Sequence, residues 1–371
     1  MKKGLLITSD FPPSKGGIQS YLSSICEFLG PGRVLVVAPK DDLDYRFDKS
    51  VNFEVIRVRF PSGNVRNLKR IFFFLHLLAI CLKKKFDFIY CGHTTSVGVF
   101  SLALARFFNK PLITFTYALE ILKNKDKKLL KKVLDWSDYI VTLGNFMKRE
   151  LKNMGYPEDK IIVISPTVDT KRFSPKKPDP KLIKNYGLEN KKVILTVGRI
   201  VPRKGHEQIL KAMAEIIGEV PNTVYLIVGE GPELENIKQL TKDLQLSNHV
   251  VFLGRIAHDL LPDLYNLCSV FVTANRNIEG DVEGFGIVFI EASACEKPVV
   301  GGKFGGSVDA IDDGRSGFLV DSEDPSSIAK ACLKLLTDPS LSKKMGKYGR
   351  EWVKNEFNHN RQTKKLMDLK I

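Results

Sequence analysis

The sequence predicts an α/β protein of two domains, each a parallel sheet wound with helices on both faces. Three observations predict it. The chain has 371 residues, more than one core comfortably serves and enough for two. Short apolar runs alternate with helical patterns along its length, and strand–helix alternation gives parallel, doubly wound sheets. The rhythm breaks once, over Ser165–Asn190, where Pro166, Pro175, Pro178 and Pro180 stand among many charges. That stretch is the expected linker.

Seven strands are expected before the linker: Gly4–Thr8, Val34–Ala38, Phe53–Arg57, Phe88–Tyr90, Leu112–Thr116, Tyr139–Thr142 and Ile161–Ile164. Six follow it: Val193–Val197, Thr223–Val228, Val250–Phe252, Val270–Thr273, Pro298–Gly301 and Gly317–Val320. Their apolar residues run continuously rather than alternating with polar ones, as in strands buried on both faces. Ligands on such sheets bind beyond the carboxyl ends of the strands, so a cleft between the two domains is the expected site.

Composition excludes several classes. Met1-Lys-Lys-Gly-Leu-Leu-Ile is too short an apolar run for a signal peptide and reads as the first strand. The longest apolar run, Ile71–Leu82, would span about 18 Å as a helix, short of the ~30 Å hydrocarbon core. It is apolar all the way round, which suits a buried helix. The six cysteines are scattered without a CxxC pair, and the histidines show no ligand spacing. A reducing compartment and no metal site are expected. Residues 1–170 hold 27 Lys and Arg against 16 Asp and Glu, a net of +11 out of +15 for the whole chain. A basic half attracts an anionic partner: a lipid surface, a nucleic acid or a phosphorylated substrate. No recognised nucleic-acid motif accompanies the charge.

Three motifs carry candidate chemistry. Asp10-Phe-Pro-Pro-Ser-Lys-Gly16-Gly17 follows the first strand and opens a helix. Its paired glycines suit close approach to an anion at the helix start, or a plain strand-to-helix turn. Gly198-Arg199-Ile-Val-Pro-Arg203-Lys204-Gly205 follows the first strand of the second domain. Three cations in six residues, fixed by Pro202, suit a diphosphate better than a solvated loop. Asp281-Val-Glu283-Gly-Phe285-Gly286-Ile287 runs into Val-Phe-Ile-Glu291. The glycines should present free amides to a phosphate at a helix start, with Glu291 about two turns on. A glutamate on so apolar a helix needs a partner. The weaker segments Gly229-Glu-Gly231 and Gly301-Gly302-Lys-Phe-Gly305-Gly306 either approach a ligand or support tight turns, and Gly254-Arg255-Ile256 could pair its backbone with a base.

In this order the pieces resemble the family-four retaining glycosyltransferases of the GT-B fold, over nearly the whole chain. Asp10–Tyr21 and Asp281–Ala294 are most similar to the mannosyltransferases that build phosphatidylinositol mannosides from GDP-mannose. The resemblance implies two Rossmann-like domains facing across a cleft. The acceptor domain would be residues 1–167 with a C-terminal helix at about 350–371, and linker plus donor domain 168–349. It implies that Arg199 and Lys204 hold the donor diphosphate and that Glu283 contacts the donor sugar. The backbone of Gly16 and Gly17 and the amides of Phe285, Gly286 and Ile287 would face the phosphates and sugar. Glu291 would bind the ribose, and the Ile256 backbone the base. The expected reaction moves a hexose, mannose from GDP-mannose, onto a lipid-linked or cell-envelope glycan. The alternatives are a UDP-sugar transferase of lipopolysaccharide or capsule assembly and a non-catalytic sugar-nucleotide-binding protein.

No cofactor or metal is expected, because no Asp-x-Asp pair stands near the phosphate loops. Where the family often has a histidine in a His-Gly-x-Glu-like segment, this chain reads Thr116-Tyr117-Ala118-Leu119-Glu120, so Tyr117 is expected to line the acceptor side. The expected location is cytoplasmic, peripheral at the inner membrane face. Leu122–Leu134 reads as an amphipathic helix whose Lys127, Lys128, Lys131 and Lys132 would meet an anionic surface.

Overall fold

The computed structural model describes residues 2–14, 16–41, 44–60, 67–123 and 127–370. The chain divides into two compact units, Met1–Pro166 with His359–Ile371, and Thr167–Asn358. Arg66, just before the apolar run Ile71–Leu82, and Lys125, within the expected helix Leu122–Leu134, lie outside the described residues.

The first unit holds β1 (Gly4–Ile7), β2 (Val34–Pro39), β3 (Glu54–Val58), β4 (Phe88–Cys91), β5 (Leu112–Phe115), β6 (Tyr139–Thr142) and β7 (Ile161–Val163). They form one parallel sheet ordered β3-β2-β1-β4-β5-β6-β7. Alternate residues of each strand enter different cores, which is why the runs are apolar throughout. Leu5, Ile7, Leu35, Val37, Ile89 and Cys91 face one core. Leu6, Val36, Tyr90, Ile113 and Val141 face the other. The first core is closed by the helices Asn67–Lys83 and Thr94–Phe107, with Phe73 edge-on to Phe100 at 5.0 Å. The second is closed by Gly17–Leu29 and the C-terminal His359–Met367. Phe28 stacks on His359 at 3.6 Å, and the Gln362 Oε1 accepts from the Ser165 amide at 2.9 Å. The C-terminal chain therefore rejoins this unit at His359, later than the expected 350; the helix Pro339–Glu356 belongs to the second unit.

The second unit holds β8 (Lys192–Val197), β9 (Thr223–Val228), β10 (Val250–Gly254), β11 (Val270–Thr273), β12 (Val299–Gly302) and β13 (Gly317–Val320). They too are parallel, ordered β10-β9-β8-β11-β12-β13. Three of its helices begin at an Asp-Pro step. Asp179, Asp324 and Asp338 each accept a hydrogen bond from a first-turn amide, and the proline that follows has no N–H to leave unpaired. The first of these places a helix, Pro180–Asn185, inside the expected linker.

Two surface expectations are corrected. Asn67–Lys83 is not buried all round. Phe73, Leu77, Ile80 and Cys81 are buried, while Leu68, Ile71, Phe72, Leu75 and Leu82 are 49–68% exposed on the other face. The segment Leu122–Leu134 is not one helix, since Ala118–Leu122 ends before a second helix, Lys127–Trp136. The apolar face of the second, Leu130, Val133 and Leu134, is buried, with Val133 packed closely over Gly98. Its lysines Lys127, Lys128, Lys131 and Lys132 are exposed, Lys131 pairing with Asp135 at 2.9 Å. That helix offers charge to a surface; its exposed Trp136 lies under the Arg106 guanidinium, and the rest of its apolar face is turned inward.

Candidate active site

In the second sheet the strand order reverses between β8 and β11, and the basic loop leaves the carboxyl end of β8 at this switch point. Gly205 ends the loop in the left-handed region, at φ +67°, as the helix His206–Glu219 begins. A Cβ there would fall 2.1 Å from the Ala274 carbonyl oxygen just beyond β11, so only glycine lets the loop press against that strand end. Arg276 fixes the loop from the same side. Its amide donates to the Arg203 carbonyl at 3.0 Å and its Nε to the Pro202 carbonyl at 3.2 Å.

The cations fall into two groups. Lys204 is buried, its Nζ 2.5 Å from Glu283 Oε2. The same oxygen takes Arg203 at 2.8 Å, and Arg203 also reaches Asp281 at 3.0 Å. Burial raises the Glu283 carboxyl, but Lys204 and then Arg203 outweigh it and hold it below the ordinary carboxylate range. Glu283 is thus an ionised carboxylate carrying two cations. Arg199, by contrast, is exposed and enters no ion pair among the described residues. Arg203 is one of the three cations of the loop that suit a diphosphate, whereas Asp281 and Arg276 join the site only in the fold. Arg203 was visible as charge, but its partners lie about 80 residues away and left no local signal.

The segment bearing Glu283 is held from beneath by the glycine-rich loop after β12, where the Gly306 amide donates to the Glu283 carbonyl at 2.7 Å. Gly286 caps the helix Ile287–Ala294 at φ +90°, a conformation that disfavours other residues, and a Cβ there would meet the Phe289 ring at 2.7 Å. The Phe285 ring is buried edge-on to Phe357 at 5.5 Å, so only its backbone is available to a ligand. Ile287 is half-buried at the helix start, where amides lack intrahelical partners. Glu291 is the fifth residue of this helix, one turn from its start rather than two. It is buried, and Tyr265 donates to its Oε2 at 2.7 Å. Burial pushes its carboxyl up to about 7, against the Tyr265 hydrogen bond and the Arg172 charge. Ile256 is half-buried just past β10.

In the first sheet the order reverses between β1 and β4. Gly16, in extended backbone, and Gly17 are exposed at the start of the helix Gly17–Leu29. Tyr117 does not present its phenol to the surface. The side chain is buried, its hydroxyl donates inward to the Gly92 carbonyl at 3.1 Å, and burial pushes its pKa well up. The expected acceptor-side role for that hydroxyl is therefore corrected: it is spent on the backbone. Beside it Glu120 is buried and accepts from the Tyr117 amide at 3.0 Å.

The comparisons with known proteins are consistent across the chain. Residues 15–172 match the family model described as Glycosyltransferase Family 4, and residues 179–352 the one described as Glycosyl transferases group 1. The chain is 30% identical over 382 residues to the GDP-mannose-dependent alpha-(1-6)-phosphatidylinositol monomannoside mannosyltransferase of Mycolicibacterium smegmatis, covering 98% of this chain and 97% of that protein. It is 29% identical over 371 residues to the GDP-mannose-dependent monoacylated alpha-(1-6)-phosphatidylinositol monomannoside mannosyltransferase of Corynebacterium glutamicum, covering 96% and 94%. Among solved structures, Anabaena HepE in complex with UDP and glucose is similar at TM-score 0.83 and 19% identity, over 99% of both chains. A glycosyltransferase from Rickettsia africae is similar at TM-score 0.81 and 22% identity, over 99% and 97%.

Proposed function

The chain belongs to glycosyltransferase family 4 and is a hexosyltransferase of the GT-B fold, and from that premise we propose that it transfers mannose from GDP-mannose, with retention, onto a phosphatidylinositol-linked mannoside. The observation that carries the reading is the cation group at the second sheet's switch point, with Arg199 unpaired beside Lys204 fixed by Glu283.

In this reading Arg199 and Lys204 bind the donor diphosphate and stabilise the charge that grows on it as the sugar leaves. Glu283 holds Lys204 in place and accepts hydrogen bonds from donor-sugar hydroxyls. The amides at Phe285, Gly286 and Ile287 face the phosphates and sugar, as does the backbone at Gly16 and Gly17. Glu291 accepts hydrogen bonds from the ribose, and the Ile256 backbone meets the base. The cations neutralise the diphosphate without a bridging metal, so transfer survives EDTA.

The acceptor is reached at an anionic membrane surface, at the cytoplasmic face. Among the described residues no helix is long and apolar enough to cross a membrane. Support for surface docking comes from Asn67–Lys83, whose exposed Leu68, Ile71, Phe72, Leu75 and Leu82 recur at helical spacing, with Lys69 and Arg70 exposed near one end and Lys83 and Lys85 near the other. An apolar stripe between basic ends lies in the interface plane of an anionic leaflet, each basic residue adding about 1 kcal/mol.

The test is incubation of the purified protein with radiolabelled GDP-mannose or UDP-hexoses and vesicles containing phosphatidylinositol monomannoside. Label moving from GDP-mannose into lipid supports the reading; label moving only from a UDP-sugar overturns the donor assignment.

A further inference from the structure

The switch point of the first sheet carries a polar group that the proposed function leaves unused. Ser9 and Asp10 follow β1, and His93, Thr94, Thr95 and Ser96 follow β4. The two strand ends are tied by Ser9 Oγ, 2.6 Å from Ser96 Oγ and donating to Asp10 Oδ2 at 2.7 Å. Gln19 Nε2 donates to the other oxygen of Asp10 at 3.0 Å. Ligands of doubly wound sheets bind at this position.

His93 stands at the N-cap of the helix Thr94–Phe107, its side chain 21% exposed. Its Nδ1 lies 3.2 Å from Glu120 Oε2 and 3.0 Å from Thr95 Oγ1. Glu120 cannot swing away. Its Oε2 also accepts from the Thr94 amide at 3.1 Å and the Thr94 hydroxyl at 2.5 Å, and its Oε1 from the Tyr117 amide. A carboxylate fixed in this way selects the imidazole tautomer with the proton on Nδ1. That leaves Nε2 as a hydrogen-bond acceptor on the side of the ring away from Glu120. The neighbouring ring, Tyr117, is buried and turns its hydroxyl away to Gly92.

We propose that His93 Nε2 accepts a hydrogen bond from a hydroxyl of the polyol acceptor, and that Glu120 is the residue that positions it. The proposal rests on the glycosyltransferase reading for the identity of the acceptor, and on the first unit's own geometry for the site. His93 touches substrate; Glu120 acts only through it.

The experiment compares wild type with His93→Ala, His93→Gln and Glu120→Gln. With GDP-mannose and phosphatidylinositol monomannoside vesicles, His93→Ala should raise the acceptor KM about tenfold, the worth of one hydrogen bond. The donor KM and calorimetric GDP affinity should not move. His93→Gln, which keeps an acceptor oxygen, should recover part of the loss, and Glu120→Gln should shift the acceptor KM in the same direction. A second readout needs no turnover: in histidine-labelled protein with GDP, myo-inositol or methyl α-mannoside should shift the His93 ring signals saturably, and that signal should be missing in His93→Gln. A folded His93→Ala with an unchanged acceptor KM, or with GDP affinity falling in step, overturns the proposal. So does a His93 signal indifferent to both polyols. Absence of transfer by wild type from any nucleotide sugar, with the polyol shift present, would instead overturn the assigned reaction and leave the polyol site standing.

Discussion

Replacing Glu291 with glutamine should make the protein more stable and a worse enzyme at the same pH. The carboxyl titrates at about 7 instead of the ordinary 4.5 because it is buried. A carboxyl raised on folding binds its proton more tightly in the folded state, so its contribution is best below about pH 4.5 and is lost as pH climbs to 7. At 1.36 kcal/mol per pH unit the loss reaches about 3 kcal/mol at pH 8. Glutamine keeps an oxygen for the 2.7 Å bond from Tyr265 and carries no charge. It brings two N–H donors to place, which offsets part of the gain. A net stabilisation of about 2 kcal/mol at pH 8 follows, roughly 4–8 °C in Tm for a unit of this size. At pH 4.5 the charge penalty is gone and only the cost of placing the amide remains, so the variant should melt slightly below wild type. The ribose contact is lost with the charge, so the donor KM should rise more than kcat falls. The same logic makes the wild-type donor KM rise as pH falls through 7. Melting curves from pH 4.5 to 8.5, with donor kinetics at pH 8, decide it. Parallel wild-type and variant Tm profiles would refute the burial argument, and an unchanged donor KM would refute the ribose role.

Lys204→Ala should lower kcat by about 10²–10³ while the protein stays folded, because it removes a charge aimed at the leaving diphosphate; near-normal turnover in a protein with native circular dichroism contradicts that role. Glu283→Gln should lower kcat more than it raises donor KM, since it loosens Lys204 beside the reacting sugar, and equal changes in the two constants speak against this. Paired substitution of Ile71 and Phe72 by glutamate should abolish co-sedimentation with anionic vesicles, whereas charge reversal of Lys127, Lys128, Lys131 and Lys132 should only weaken it; the opposite ranking would return docking to the second helix. Transfer measured in excess EDTA should match that in magnesium, and loss of activity restored by a divalent ion contradicts metal-independent chemistry.

The fold was legible because its strands are buried on both faces. A run such as Leu112–Phe115 feeds two cores at once, and only an apolar sequence does that. The helix in the linker has a local start signal at Asp179-Pro180, which the surrounding prolines mask. Exposure was the harder reading. Asn67–Lys83 is apolar on the face it buries and on the face it shows, so its periodicity carries no contrast; the short Lys127–Trp136 has strong contrast, and its apolar face goes to the neighbouring helix. At the candidate site the residue types of Arg199, Lys204, Glu283 and Glu291, and their places in a strand-end loop or on the helix that follows one, are visible locally. Their partners are not, because Glu283 meets Arg203 and Glu291 meets Tyr265 through the topology of the sheet. For the same reason His93 went unnoticed: the carboxylate that orients it arrives from another strand end.

The most direct test of the account is the product itself. Purified protein, GDP-mannose and vesicles bearing phosphatidylinositol monomannoside should yield a lipid with one added hexose, whose one-bond carbon–proton coupling at the anomeric carbon is that of an α-mannoside. Lipid left unmodified by GDP-mannose while a UDP-hexose is consumed, or a product of β configuration, would contradict it.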